Sequence, residues 1–95
     1  MSTYKTASIV IPHDGKYLYY RSDDKSLGDF KYRTIFPLTS DEQLKFCVNF
    51  AKQLDEHIHV SIEVLDDNGA YSVGKIVSIE EAEAASNVDD LFNDR

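Results

Sequence analysis

Ser40-Asp41-Glu42-Gln43-Leu44-Lys45-Phe46-Cys47-Val48-Asn49-Phe50-Ala51-Lys52-Gln53-Leu54 is the stretch on which the fold turns. Ser40 with Gln43 three residues later is a capping-box pair, Asp41 and Glu42 suit the positive end of a helix dipole, and Pro37 lies just upstream. Leu44, Cys47, Val48, Ala51 and Leu54 then recur at the spacing of a core-facing stripe. The pattern predicts one main helix over about residues 40–56. Phe46 and Phe50 widen its apolar arc to about half the circumference. A helix on a small sheet needs less, so these rings are either cradled by the sheet or offered to a partner. Phe46 and Phe50 are therefore candidate partner-binding residues. Asp55 and Glu56 end the helix where its dipole disfavours anions, with His57 the only local compensation and no glycine cap.

On the upstream side, residues 6–11 alternate weakly and stop at Pro12, which cannot donate to a ladder. His13-Asp14-Gly15 supplies hairpin chemistry. Residues 16–21 read as a second strand, with Tyr17 and Tyr19 on one face and Leu18 and Tyr20 on the other. Residues 22–29 read as a charged loop. Residues 30–36 read as a third strand, Phe30, Tyr32, Thr34 and Phe36 lying opposite Lys31, Arg33 and Ile35. Downstream, residues 59–65 form a fourth strand with Val60, Ile62 and Val64 inward. Asp66-Asp67-Asn68-Gly69 is a hairpin turn, and residues 70–79 form a fifth strand in which Gly74 marks a bulge or a close backbone approach. Residues 80–85 read as a short acidic helix. The division expected is a single α+β domain over residues 1–80 and an acidic helical or flexible tail over residues 81–95.

The order β-β-β-α-β-β resembles that of the OB-fold, a Greek-key barrel with a helix between strands three and four. The expectation is α+β: a five-stranded antiparallel sheet or an OB-like small barrel, with one main helix and a short acidic C-terminal helix or tail. A sandwich with the helix laid across one sheet face explains the same string.

A chain of 95 residues is one domain, close to the lower size at which one core suffices. Its one cysteine, Cys47, forms no internal disulfide, which suits a reducing cytoplasm. No apolar run approaches the roughly 18 residues of a membrane span, and no signal-peptide core is visible. The net charge of −7 is uneven: residues 1–36 sum to +2 and residues 37–95 to −9. Two surfaces of different character follow.

Chemistry is absent from the pattern. Cys47 lies on the helix's apolar stripe, where a thiol is inert. None of the four glycines (Gly15, Gly28, Gly69, Gly74) forms a phosphate-cradling loop. The pairs Asp66-Asp67 and Asp89-Asp90 belong to a turn and a tail. His57 and His59 are two apart and His13 is distant, whereas zinc takes four ligands. No catalytic residue, metal site or cofactor is expected.

Two binding surfaces remain. In residues 16–36, rings alternate with cations: Lys16, Tyr17, Tyr19, Arg21, Lys31, Tyr32 and Arg33 suit stacking on bases and neutralising phosphates. The same tyrosines are favoured strand residues, and the lack of Trp and the local excess of only +2 count against strong nucleic-acid binding. In the tail, Val88, Leu91 and Phe92 fall at i, i+3 and i+4 beside Asp89 and Asp90. This segment resembles the acidic, hydrophobic terminal peptides by which phage single-strand-binding proteins and sliding-clamp partners recruit other proteins. It lacks the clamp pattern's leading Gln. The resemblance implies that Asp89, Asp90, Leu91 and Phe92 dock into a partner's groove, the alternative being that Leu91 and Phe92 fold back onto the sheet. The function expected is a small, acidic, non-enzymatic inhibitor or adaptor, in the style of phage and mobile-element accessory proteins. Its partner would be a protein, a nucleic-acid-handling host protein among the options, and homodimerisation stays open. The alternative is an OB-like single-stranded nucleic-acid binder with an acidic recruiting tail.

Overall fold

β1 (Tyr4–His13) organises the molecule, because both of its edges are taken. The computed structural model describes residues 4–67, 72–85 and 88–92. Through one edge β1 pairs antiparallel with β5 (Ser61–Asp67), from Tyr4 opposite Asp67 to Val10 opposite Ser61. Through the other it pairs with β2 (Lys16–Arg21) at Val10 to His13, and with β4 (Phe36–Pro37) at Thr6 and Ala7. β3 (Ser26–Gly28) lies outside β2, and β6 (Ser72–Val77) lies outside β5. The sheet has six strands, all paired antiparallel, in the order β3-β2-β1-β5-β6 with β4 beside β1. It is open. Closing a barrel requires the end strands to pair in a staggered register, and β3 and β6 sit at opposite ends of the path. The α+β class holds, while the OB-like barrel and the count of five strands are corrected.

The β1–β2 hairpin turns on Asp14 and Gly15, whose φ values of 51° and 77° are the two positive angles such a turn needs. The expected third strand over residues 30–36 does not form. β3 lies instead within the segment read as a loop, because local hydrogen bonds outweigh the alternation of rings. The Asp24 carboxylate accepts from the Ser26 amide (3.2 Å) and hydroxyl (2.6 Å), folding residues 22–25 into a turn with Lys25 at φ 56°. The Asp29 carbonyl then accepts from the Tyr32 amide at 3.1 Å, winding Phe30–Tyr32 into a 3₁₀ turn.

α1 (Asp41–Asp55) begins as expected, with the Ser40 hydroxyl accepting from the Gln43 amide at 3.3 Å. Leu44, Cys47, Val48 and Ala51 bury against Ala7, Ile9 and Ile11 of β1 and Ile62 and Val64 of β5, with Val60 just before that strand. Burying the Leu, Ile and Val side chains among them stabilises by about 1.5–3 kcal/mol each. The acid at the helix end has a purpose that dipole reasoning misses. Asp55 accepts from the Val60 amide at 3.1 Å, so its carboxylate anchors the entry into β5. His59, rather than His57, is its imidazole neighbour, with Nδ1 3.5 Å away.

The last strand stops at Val77 rather than residue 79. Ser78 and Glu81 form a reciprocal capping box, at 3.1 and 3.2 Å, that starts α2 (Ile79–Ala84). Gly74 pairs in regular register with Leu65, and a Cβ there would come within 3.1 Å of Leu65 Cδ1. It serves close approach and not a bulge. The Asn68-Gly69 part of the expected turn lies outside the described residues. α2 packs on α1 and α3 (Val88–Phe92) on β5, with Ala82, Val88 and Leu91 in the core cluster. Ala82, Val88 and Leu91 thus contribute to the same core as the sheet.

Candidate functional site

Phe46 and Phe50 leave α1 on the side that faces the chain entering β4. Phe36 at the start of that strand is buried, and its ring lies 5.5 Å from that of Phe50 and 6.1 Å from that of Phe46. Tyr20 of β2 approaches Phe50 at 5.9 Å. The cluster passes from core to surface: Phe36 is 6% exposed, Phe50 intermediate and Phe46 58% exposed. Leu54, one turn beyond Phe50, carries the stripe to the helix end. There Ile11, Tyr20, Lys25, Leu27, Leu54 and Ile58 line a groove of about 280 Å³. Leu27 and Ile58 are exposed apolar side chains. Three of the large apolar side chains exposed among the described residues, Phe46, Leu27 and Ile58, therefore fall along one stripe, the kind of clustering that marks a contact surface.

The sheet face away from α1 carries most of the ring-and-cation pattern, but two of its members are engaged within the fold. The Tyr19 hydroxyl is 3.0 Å from each Glu63 carboxylate oxygen. Burial, reinforced by that acceptor, pushes the Tyr19 phenol up to about 12. Arg33 donates through Nε to the Ser8 hydroxyl at 3.1 Å. Thr6, Ser8 and Val10 lie buried beneath these long side chains, which is why β1 is covered on both faces. Arg21 and Lys31 sit over the Tyr32 ring, at 5.4 and 5.0 Å from its centre. Tyr17 and Tyr32 are exposed. Lys16 shares the helix-side face with Leu18 and Tyr20 by strand alternation, so the structure does not bring all seven candidates together.

In the C-terminal segment, Leu91 is 4% exposed and belongs to the core, and Val88 joins it there. The Val88 amide donates to the Asp41 carboxylate at 3.2 Å, and Lys52 pairs with Glu83 at 2.6 Å on the surface. The expectation that Leu91 faces a partner is thus met by a side chain facing its own sheet. The side chains of Asp89 and Phe92 lie outside the described residues, and Asp90 is half-buried.

Cys47 is fully buried, and burial pushes its thiol up to about 12, so it presents no thiolate. Among the described residues, no group of three or more His, Cys, Asp or Glu side chains could hold a metal ion. No helix of the described residues is long and apolar enough to cross a membrane. Comparison with protein families, curated proteins and solved structures finds no match to the chain.

Sequence reasoning found Phe46 and Phe50 but not Lys25, Leu27 or Ile58 as parts of the same edge. The signal available was a lone apolar residue within a polar stretch, as with Leu27 in its charged loop and Ile58 between two histidines.

Proposed function

We propose that this protein is a non-enzymatic binding domain acting by protein–protein contact, as an inhibitor or adaptor, and that the apolar edge of α1 is its contact surface. The carrying observation is Phe46, exposed over 58% of its surface yet backed by rings that reach the core. An aromatic ring held on a rigid helix is a typical anchor of an interface, since it fills a pocket at little cost in conformational entropy. Away from this edge, the chain's net charge of −7 favours contact with basic partners, including surfaces that proteins use to hold nucleic acid. Occlusion of such a surface requires shape and charge alone.

The test is capture from nuclease-treated lysate with wild type and Phe46→Asp as baits. Protein retained by wild type and lost with Phe46→Asp supports this function. Capture that disappears with nuclease supports the second reading, binding of single-stranded nucleic acid around Tyr32. One observation favours that reading: the two cations stacked on the Tyr32 ring. It demands salt-sensitive binding of labelled oligonucleotides that weakens in Tyr32→Ala and Lys31→Ala.

A further inference from the structure

We infer that the occupant of this edge is a second copy of the chain, docked with its α1 antiparallel to the first. The inference rests on the protein-binding function proposed above and names the partner.

A projecting ring and a receiving groove lie at opposite ends of one stripe. Phe46 stands out near the start of α1, and the groove lined by Leu54, Ile58, Leu27, Ile11 and Tyr20 opens at its end. Phe46 and Leu54 are eight residues apart, about 12 Å along the helix axis. A two-fold axis passing near Phe50 brings each Phe46 to the other copy's groove. That arrangement is isologous: every contact is made twice and the assembly closes at two copies. The groove's volume of about 280 Å³ has room for a phenyl ring, given that a cavity of about 150 Å³ accepts benzene.

Charge agrees with the same alignment. Glu42 lies one turn before Phe46 on the outer side of the helix, and Lys25 is the only charged residue among the described residues lining the groove. Neither has an ion-pair partner among the described residues. The nearest acid to Lys25 in the chain, Asp24, is occupied by Ser26 and lies 4.0 Å from Arg21. Antiparallel docking sets Glu42 of each copy beside Lys25 of the other. These two pairs offset the repulsion that two chains of −7 each would otherwise feel. Antiparallel helices also place unlike dipole ends together.

Sedimentation equilibrium of the full chain over a broad concentration range tests this. A monomer–dimer equilibrium is expected, with Phe46→Asp and Lys25→Glu each raising the dimer dissociation constant about tenfold or more. The double variant Glu42→Lys with Lys25→Glu restores both pairs in reversed sense and recovers association. Circular dichroism confirms that each variant is folded, as expected for exposed positions. A monomeric wild type, a dimer indifferent to Phe46→Asp, or a double variant no better than Lys25→Glu overturns the inference. A monomeric wild type that still captures protein in a Phe46-dependent way overturns the second copy alone. The same monomer without such capture overturns the protein-binding function as well.

Discussion

The rings of Phe36 and Phe46 lie 6.1 Å apart, yet one is 6% exposed and the other 58%. The same aromatic cluster therefore holds the fold together at one end and presents a surface at the other. The two positions separate in a stability measurement. Phe36→Ala is expected to cost about 3–5 kcal/mol in urea unfolding, as for a buried ring. Phe46→Ala is expected to change stability by no more than about 0.5 kcal/mol, as for a surface position. Equal losses at both positions would mean that Phe46 is buried in solution.

Tyr19 and Glu63 give the sheet a pH signature. The phenol is raised from 10.0 to about 12 in the folded chain, first by burial and then by the Glu63 carboxylate. A folded value above the unfolded one means stability that is fully present below pH 10 and lost as pH climbs through 12. Phenolate absorbance should show a late ionisation that Tyr19→Phe removes. Glu63→Gln should bring it part of the way back, since burial, the larger cause, remains. A Tyr19 phenol titrating near 10.0 would contradict the contact.

Cys47 follows the same sign, its thiol raised from 9.0 to about 12 by burial alone. The native chain should be unreactive to a thiol reagent at neutral pH and become reactive only on unfolding. Cys47→Ser places a hydroxyl among apolar side chains and should destabilise by about 1–3 kcal/mol in a denaturant titration. Rapid labelling of the folded protein would show that α1 does not cover this position.

Val88 and Leu91 predict that the C-terminal segment stabilises the domain. A chain ending at Ala85 loses both buried side chains and the amide that Asp41 accepts. Two such burials amount to about 3 kcal/mol or more, so its denaturant midpoint should fall clearly. An unchanged midpoint would mean that α3 is not docked in solution.

α1, its cap at Ser40 and its buried stripe were legible because helical periodicity and capping are local. The Asp14-Gly15 hairpin was legible for the same reason. β3 was hidden because its formation depends on Asp24 bonding to Ser26, a side-chain device that competes with the visible alternation of residues 30–36. The Ser78–Glu81 capping box was present in the sequence, but an apolar run reaching Ile79 masked it as continued strand. Sheet openness is non-local, since it depends on whether the end strands β3 and β6 pair. The site divides the same way. Phe46 and Phe50 share a helix face that spacing reveals, whereas Leu27 and Lys25 reach the groove only because the β2–β3 hairpin folds back beside the helix end.

Hydroxyl-radical footprinting of side chains, comparing the free chain with the chain in its protein-bound state, tests the central claim most directly. In the free chain Phe46, Tyr17 and Tyr32 should all be oxidised, since all are exposed. On binding, Phe46, Leu27 and Ile58 should become protected while Tyr17 and Tyr32 stay reactive. Protection of Tyr17 and Tyr32 with Phe46 still oxidised would contradict the account and move the contact surface to the opposite face of the sheet.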